Sequence, residues 1–101
     1  MPARNRFKHA LAARQPQIGL WSSLPDPYCA ELLAGAGFDW IMLDAEHTPS
    51  APDSMQRRLQ AVAAEHARAA SAVVRPPWND AVLIKQYLDI GAQTLLLPFV
   101  Q

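Results

Sequence analysis

Apolar residues along this chain fall into short unbroken runs separated by stretches with helical spacing. Gln17-Ile18-Gly19-Leu20-Trp21-Ser22, following Pro16, reads as a strand. Trp40-Ile41-Met42-Leu43 and Ala72-Val73-Val74-Arg75 are apolar almost throughout, the pattern of strands covered on both faces. Thr94-Leu95-Leu96-Leu97 is expected to be a fourth, with Pro98 limiting its pairing. A leading helix is expected over Phe7 to Ala13, with Phe7, Ala10 and Leu11 on one face.

Helices are also expected between the strands. Asp26-Pro27 supplies an N-cap and a proline at the first helical position. The apolar face that follows is Tyr28, Leu32, Leu33 and Ala36, and Gly35 and Gly37 provide the stop. Ser50-Ala51-Pro52-Asp53 has the form of a capping box, followed by Met55, Leu59, Val62, Ala63 and His66 on one face to about Ala69. Asn79 is placed to cap a further helix that buries Leu83, Ile84, Tyr87 and Leu88 and closes at Gly91.

A faint repeat runs through this order. Gly37 is followed at four to six positions by Ile41, Met42 and Leu43, and Gly91 at the same offsets by Leu95, Leu96 and Leu97. Strict alternation of strand and helix means a parallel sheet with right-handed crossovers. The fold class is therefore α/β, with a leading helix, about four parallel strands and three helices. Such a sheet needs helices on both faces or closure into a barrel. The 101 residues are about two-fifths of the roughly 250 of a (β/α)8 TIM barrel. Residues 1–101 are expected to be the N-terminal part of a single, truncated TIM-barrel domain.

Composition narrows the function classes. Half the residues are apolar, and nine basic residues balance nine acidic ones. A dedicated nucleic-acid binder would carry a basic excess. The apolar runs fall far short of the ~20 residues of a membrane helix. The lone Cys29 allows no internal disulfide and reads as a small core residue, so a cytoplasmic location is expected. The basic N-terminus, with Arg4, Arg6, Lys8 and Arg14, lacks the serine content of a transit peptide. With four scattered glycines there is no glycine-rich phosphate loop.

In a parallel barrel all strands end on one edge, where ligand sites lie. That edge gathers Trp21, then Asp44, Glu46 and His47, then Arg75 and Trp78, then residues 98–101. Asp44 could orient the His47 imidazole and sharpen it as a base. Arg75 is abrupt after three apolar residues and suits an anionic substrate, or a salt bridge to Asp44 or Glu46. Trp21 and Trp78 could wall a pocket. His9 and His66 lie on helices and read as structural.

These residues resemble a known family. Residues 16–21, 30–40 and Leu43-Asp44-Ala45-Glu46-His47 are similar to the HpcH/HpaI aldolases, as are Val73-Val74-Arg75-Pro76-Pro77-Trp78-Asn79-Asp80, residues 84–96 and Pro98-Phe99-Val100-Gln101. Within that family the chain resembles the 4-hydroxy-2-oxoheptanedioate and 2-keto-3-deoxy sugar-acid aldolases. The resemblance implies a metal-dependent (class II) pyruvate aldolase in a TIM barrel, cleaving 4-hydroxy-2-oxo acids to pyruvate and an aldehyde. It implies a divalent cation (Mg²⁺, Mn²⁺ or Co²⁺) and a hexameric homo-oligomer. His47 with Asp44 would be the acid–base pair, Arg75 would hold the 2-oxo oxygen and stabilise the enolate, and Trp21 would line the substrate pocket. Ala45 stands where the family commonly has Gly. The metal's protein ligands are expected downstream of Gln101, with none within this chain, so the 101 residues alone should turn over little. A non-catalytic chain acting only as an assembling fragment, and a related citryl-type lyase, are the alternatives.

Overall fold

The computed structural model describes residues 5–45, 52–64 and 70–100. Its elements run α1 (Arg6–Ala12), β1 (Gly19–Ser22), α2 (Pro27–Ala34), β2 (Trp40–Asp44), α3 (Pro52–Ala64), β3 (Ser71–Arg75) and α4 (Ala81–Asp89). The three strands form one parallel sheet in the order β1-β2-β3. Each crossover is a single helix, as the alternating pattern requires.

Alternation along the strands separates two faces. Leu20, Ile41, Leu43, Ala72 and Val74 turn toward the helices. There they meet Ala30 and Ala34 of α2, Met55 and Val62 of α3, and Tyr87 of α4. Trp21, Met42, Asp44, Val73 and Arg75 occupy the other face by register. A cavity of about 420 Å3 lies on that face, between Met42, Val73 and Leu96 and the α1 residues Phe7 and Leu11. Phe7 packs on Trp40, with ring centroids 6.1 Å apart.

The Trp40 indole lies flat against Gly19, its partner across the β1–β2 pair. A methyl group at residue 19 would occupy the space of the ring itself. Gly19→Ala is therefore expected to destabilise the fold by about 1–3 kcal/mol, the usual cost of overpacking. Chemical denaturation would show the lowered midpoint, and Gly19→Ala combined with Trp40→Leu would recover part of it.

Several local expectations are corrected. The fully buried residues of α2 are Ala30 and Ala34, and Leu33 packs partly buried against the core as expected, while Tyr28, Leu32 and Ala36 are exposed. Small side chains let this helix approach β2 closely. The cap of α4 is Asp80, not Asn79: its carboxylate accepts from the Leu83 amide, 3.0 Å away. Tyr87 is fully buried on α4, but Leu88 is exposed. Ser50 and Ala51 of the expected capping box lie outside the described residues, as does His66.

The expected strand at 94–97 is reduced to one parallel bridge, Val74 with Leu95. Val74 donates to the Thr94 carbonyl and accepts from the Leu96 amide, both at 2.9 Å. Extending this ladder toward the strand ends would pair Pro76 with Leu97. That rung needs an N–H on Pro76 and another on Pro98, and proline has neither.

Candidate active site

The β2–β3 register sets Asp44 directly beside Arg75 at the carboxyl ends of the strands. Their side chains meet face to face. The Asp44 carboxylate accepts from Arg75 Nε at 3.1 Å through one oxygen and from Arg75 Nη2 at 2.6 Å through the other. The fork of the guanidinium matches both carboxylate oxygens, the strongest geometry available to such a pair. Trp21, on the neighbouring strand, completes the arrangement. Its indole Nε1 donates to Asp44 Oδ2 at 3.0 Å. Its ring lies under the guanidinium, with Arg75 Cζ 4.4 Å from the centroid. Arg75 is thus held by an anion on its edge and an aromatic face beneath it. Asp44 is 1% exposed, whereas the Arg75 side chain keeps 13% of its surface accessible and reaches the strand-end mouth.

Behind Asp44 lies a group that the chain's pattern did not single out. Arg58 of α3 is completely buried. Its Nη1 donates to the Asp44 carbonyl at 3.3 Å and its Nη2 to the Ser22 carbonyl at 3.5 Å. Burial holds its pKa below the ordinary arginine value, opposed by the charge of Asp44 and by Tyr87. An arginine on a helix reads as solvent-facing. The available signal was its spacing: Arg58 falls three residues after Met55 and four before Val62, on the buried stripe.

Burial likewise raises the Tyr87 phenol above its ordinary value, with Arg58 pulling the other way. Among the described residues the Tyr87 hydroxyl has no hydrogen-bond partner. A buried hydroxyl left unsatisfied costs about 1–3 kcal/mol, so Tyr87→Phe is expected to raise stability by about 1 kcal/mol. Above the unfolded value near 10, the unfolded chain releases the phenolic proton while the folded chain retains it. Stability is therefore full below that pH and is lost above it. Tyr87→Phe should flatten this alkaline decline, as melting curves between about pH 8 and 11 would show.

Of the candidate site residues, the structure brings together Asp44, Arg75 and Trp21. His47 and Glu46 lie outside the described residues. Trp78 is exposed and packs on Phe99, with centroids 4.5 Å apart. Cys29 is a partly buried free thiol on α2. No helix among the described residues is long and apolar enough to cross a membrane. No group of three or more His, Cys, Asp or Glu side chains that could hold a metal occurs among them either. Both oxygens of Asp44 are occupied by cationic or indole N–H donors, so the described donor set does not fit a metal ion.

The model of the HpcH/HpaI aldolase/citrate lyase family matches residues 17–101. The chain belongs to this family. A hydroxypyruvate/pyruvate aldolase of Deinococcus radiodurans is 59% identical over 99 residues, which are 98% of this chain and 35% of the relative. A 4-hydroxy-2-oxo-heptane-1,7-dioate aldolase of Salmonella dublin is 56% identical over 98 residues, 97% of this chain and 36% of the relative. The chain thus spans about a third of the length of the relatives it matches. The crystal structure of an HpcH/HpaI aldolase/citrate lyase family protein from Burkholderia cenocepacia J2315 superposes with a TM-score of 0.90 at 40% identity. It covers 96% of this chain and 38% of that one. The fold class is accordingly α/β, with the successive parallel strands of the HpcH/HpaI TIM barrels.

Proposed function

We propose that the protein is an aldolase that cleaves 4-hydroxy-2-oxo acids to pyruvate and an aldehyde. The observation that carries this reading is the Arg75 guanidinium, fixed by Asp44 and Trp21 at the carboxyl ends of parallel strands. Family membership and the names of the aligned aldolases support it.

Retro-aldol cleavage removes the proton of the C4 hydroxyl and breaks the C3–C4 bond. The bonding pair moves toward C2 and places negative charge on the former keto oxygen, giving the pyruvate enolate. A fixed cation there stabilises the developing charge without reorganising during the reaction. Arg75 supplies that cation. By the family resemblance, His47, with Asp44 as its acid–base partner, takes the hydroxyl proton and returns a proton to the enolate carbon. Trp21 walls the pocket beneath the oxo acid. Dependence on Mg²⁺, Mn²⁺ or Co²⁺ belongs to the same reading through the family, although the described residues offer no ligand set. A cytoplasmic homo-oligomer, hexameric in this reading, completes it.

The test is pyruvate release by the purified full-length protein. Several 4-hydroxy-2-oxo acids would be supplied and pyruvate followed with lactate dehydrogenase and NADH. The expected result is turnover that a chelator removes and Mn²⁺ or Co²⁺ restores. Chelator-insensitive cleavage, or cleavage confined to a citryl-type substrate, would overturn the assignment.

A further inference from the structure

We propose that Arg58 is a positioning residue that ties the ends of β1 and β2 together and so holds Trp21, Asp44 and Arg75 in one arrangement. The catalytic half of this proposal rests on the aldolase reading above; the structural half does not.

The β1–β2 ladder ends at Ser22 paired with Leu43. Beyond that point β1 leaves toward Pro25 and the start of α2. The Ala45 amide donates to the Arg75 carbonyl, so neighbouring Asp44 presents its own carbonyl to the opposite side, toward β1. No further residue of β1 continues the ladder there. Arg58 enters at this gap. One guanidinium nitrogen donates to Asp44 O and another to Ser22 O, bridging the two strand ends. Trp21 precedes one of these carbonyls by one residue, and Asp44 bears the other. The guanidinium therefore fixes the spacing between the indole that supports Arg75 and the carboxylate that orients it.

The choice of residue strengthens the point. Arg58 lies on the Met55–Val62 stripe, where an apolar side chain would fill the core without desolvating a charge. Among the described residues its Nε has no hydrogen-bond partner, and neither has the hydroxyl of Ser22. A buried guanidinium whose described hydrogen bonds go to two carbonyls is costly to keep. Its position within hydrogen-bonding distance of the Asp44 backbone puts that cost directly behind the carboxylate that holds Arg75.

The experiment combines a spectroscopic and a kinetic readout on the full-length protein. The Trp21 indole N–H would be assigned in a ¹H–¹⁵N spectrum by its loss in Trp21→Phe. In Arg58→Met and Arg58→Gln, the Trp21 signal should shift while those of Trp40 and Trp78 stay in place. Arg58→Lys, which keeps a charge and a donor, should return it toward the wild-type position. With 4-hydroxy-2-oxo acid substrates, Arg58→Met should lower kcat by about 10- to 100-fold, the cost of a small misplacement, and change KM by less than about threefold. Arg58→Lys should recover most of kcat. If Arg58→Met fails to fold, the Gln and Lys variants decide the question. A Trp21 signal and kcat unchanged in the neutral variants would overturn the proposal. So would shifts of all three indoles together with no recovery by lysine, since that marks general disruption. If no oxo acid is cleaved by the wild type, the aldolase reading fails and the indole spectrum alone judges the positioning role.

Discussion

Arg75→Ala is expected to lower kcat/KM for pyruvate release by about a thousandfold, the scale seen when a fixed donor to a developing oxyanion is removed. Two losses combine. The enolate loses its cation, and Asp44, at 1% exposure, loses the Arg75 guanidinium that faces its carboxylate. Breaking a buried ion pair from one side typically costs about 3–5 kcal/mol, so the melting temperature should fall as well. Arg75→Lys separates the two effects. It retains the charge opposite Asp44, which should recover much of the stability. It cannot reproduce the fork to both carboxylate oxygens, nor stack as a plane on Trp21, so activity should recover much less. Steady-state kinetics and thermal melts on the two variants would check this. An alanine variant with near-native kcat/KM would remove Arg75 from the chemistry.

Asp44→Asn is expected to produce the second large effect, although it changes scarcely any volume. Among the described residues, Asp44 accepts from Arg75 Nε, Arg75 Nη2 and Trp21 Nε1. An asparagine side chain offers one oxygen, and its amide group would face a donor across one of these contacts. Arg75 and the buried Arg58 would then face a neutral side chain. The expected outcome is a loss of about 3 kcal/mol in stability and of about a hundredfold or more in kcat/KM. Near-neutral behaviour of Asp44→Asn in both denaturation and turnover would show that the carboxylate does not organise the site.

The strands were legible because their chemistry is local. Trp40–Leu43 and Ala72–Val74 are apolar on both faces, and β2 is buried over Ile41 to Asp44. Asp26 was readable as a cap, and its carboxylate does accept from the Tyr28 amide. Where adjacent residues compete, the sequence is silent: Asn79 and Asp80 are both able to cap, and only the path of the chain selects Asp80. The convergence of Asp44, Arg75 and Trp21 followed from their shared position at strand ends. The Asp44–Arg75 salt bridge was one of two that the sequence offered, with Glu46 the other partner, and the structure shows it. The Trp21 contacts were not legible, because register decides which side chains touch and spacing within each strand carries no register. Arg58 was hidden by its type, since a guanidinium on an amphipathic helix ordinarily marks the wet side. The Tyr28 and Leu32 stripe misled in the opposite sense, because two alanines could bury closer to the sheet than either large side chain.

The prolines flanking the Val74–Leu95 bridge bear on how this chain behaves among its own copies. An exposed strand edge ordinarily invites another molecule to add a strand, rung after rung. Toward the site, β3 offers Val74 and then Pro76, which has no hydrogen to donate. A foreign strand displacing residues 94–96 would gain the Val74 rung and lose a donor at the next. Pairing of a foreign strand therefore stops after the Val74 rung on the side of the site, so the residue that breaks the ladder at the mouth also limits how far another strand can add there.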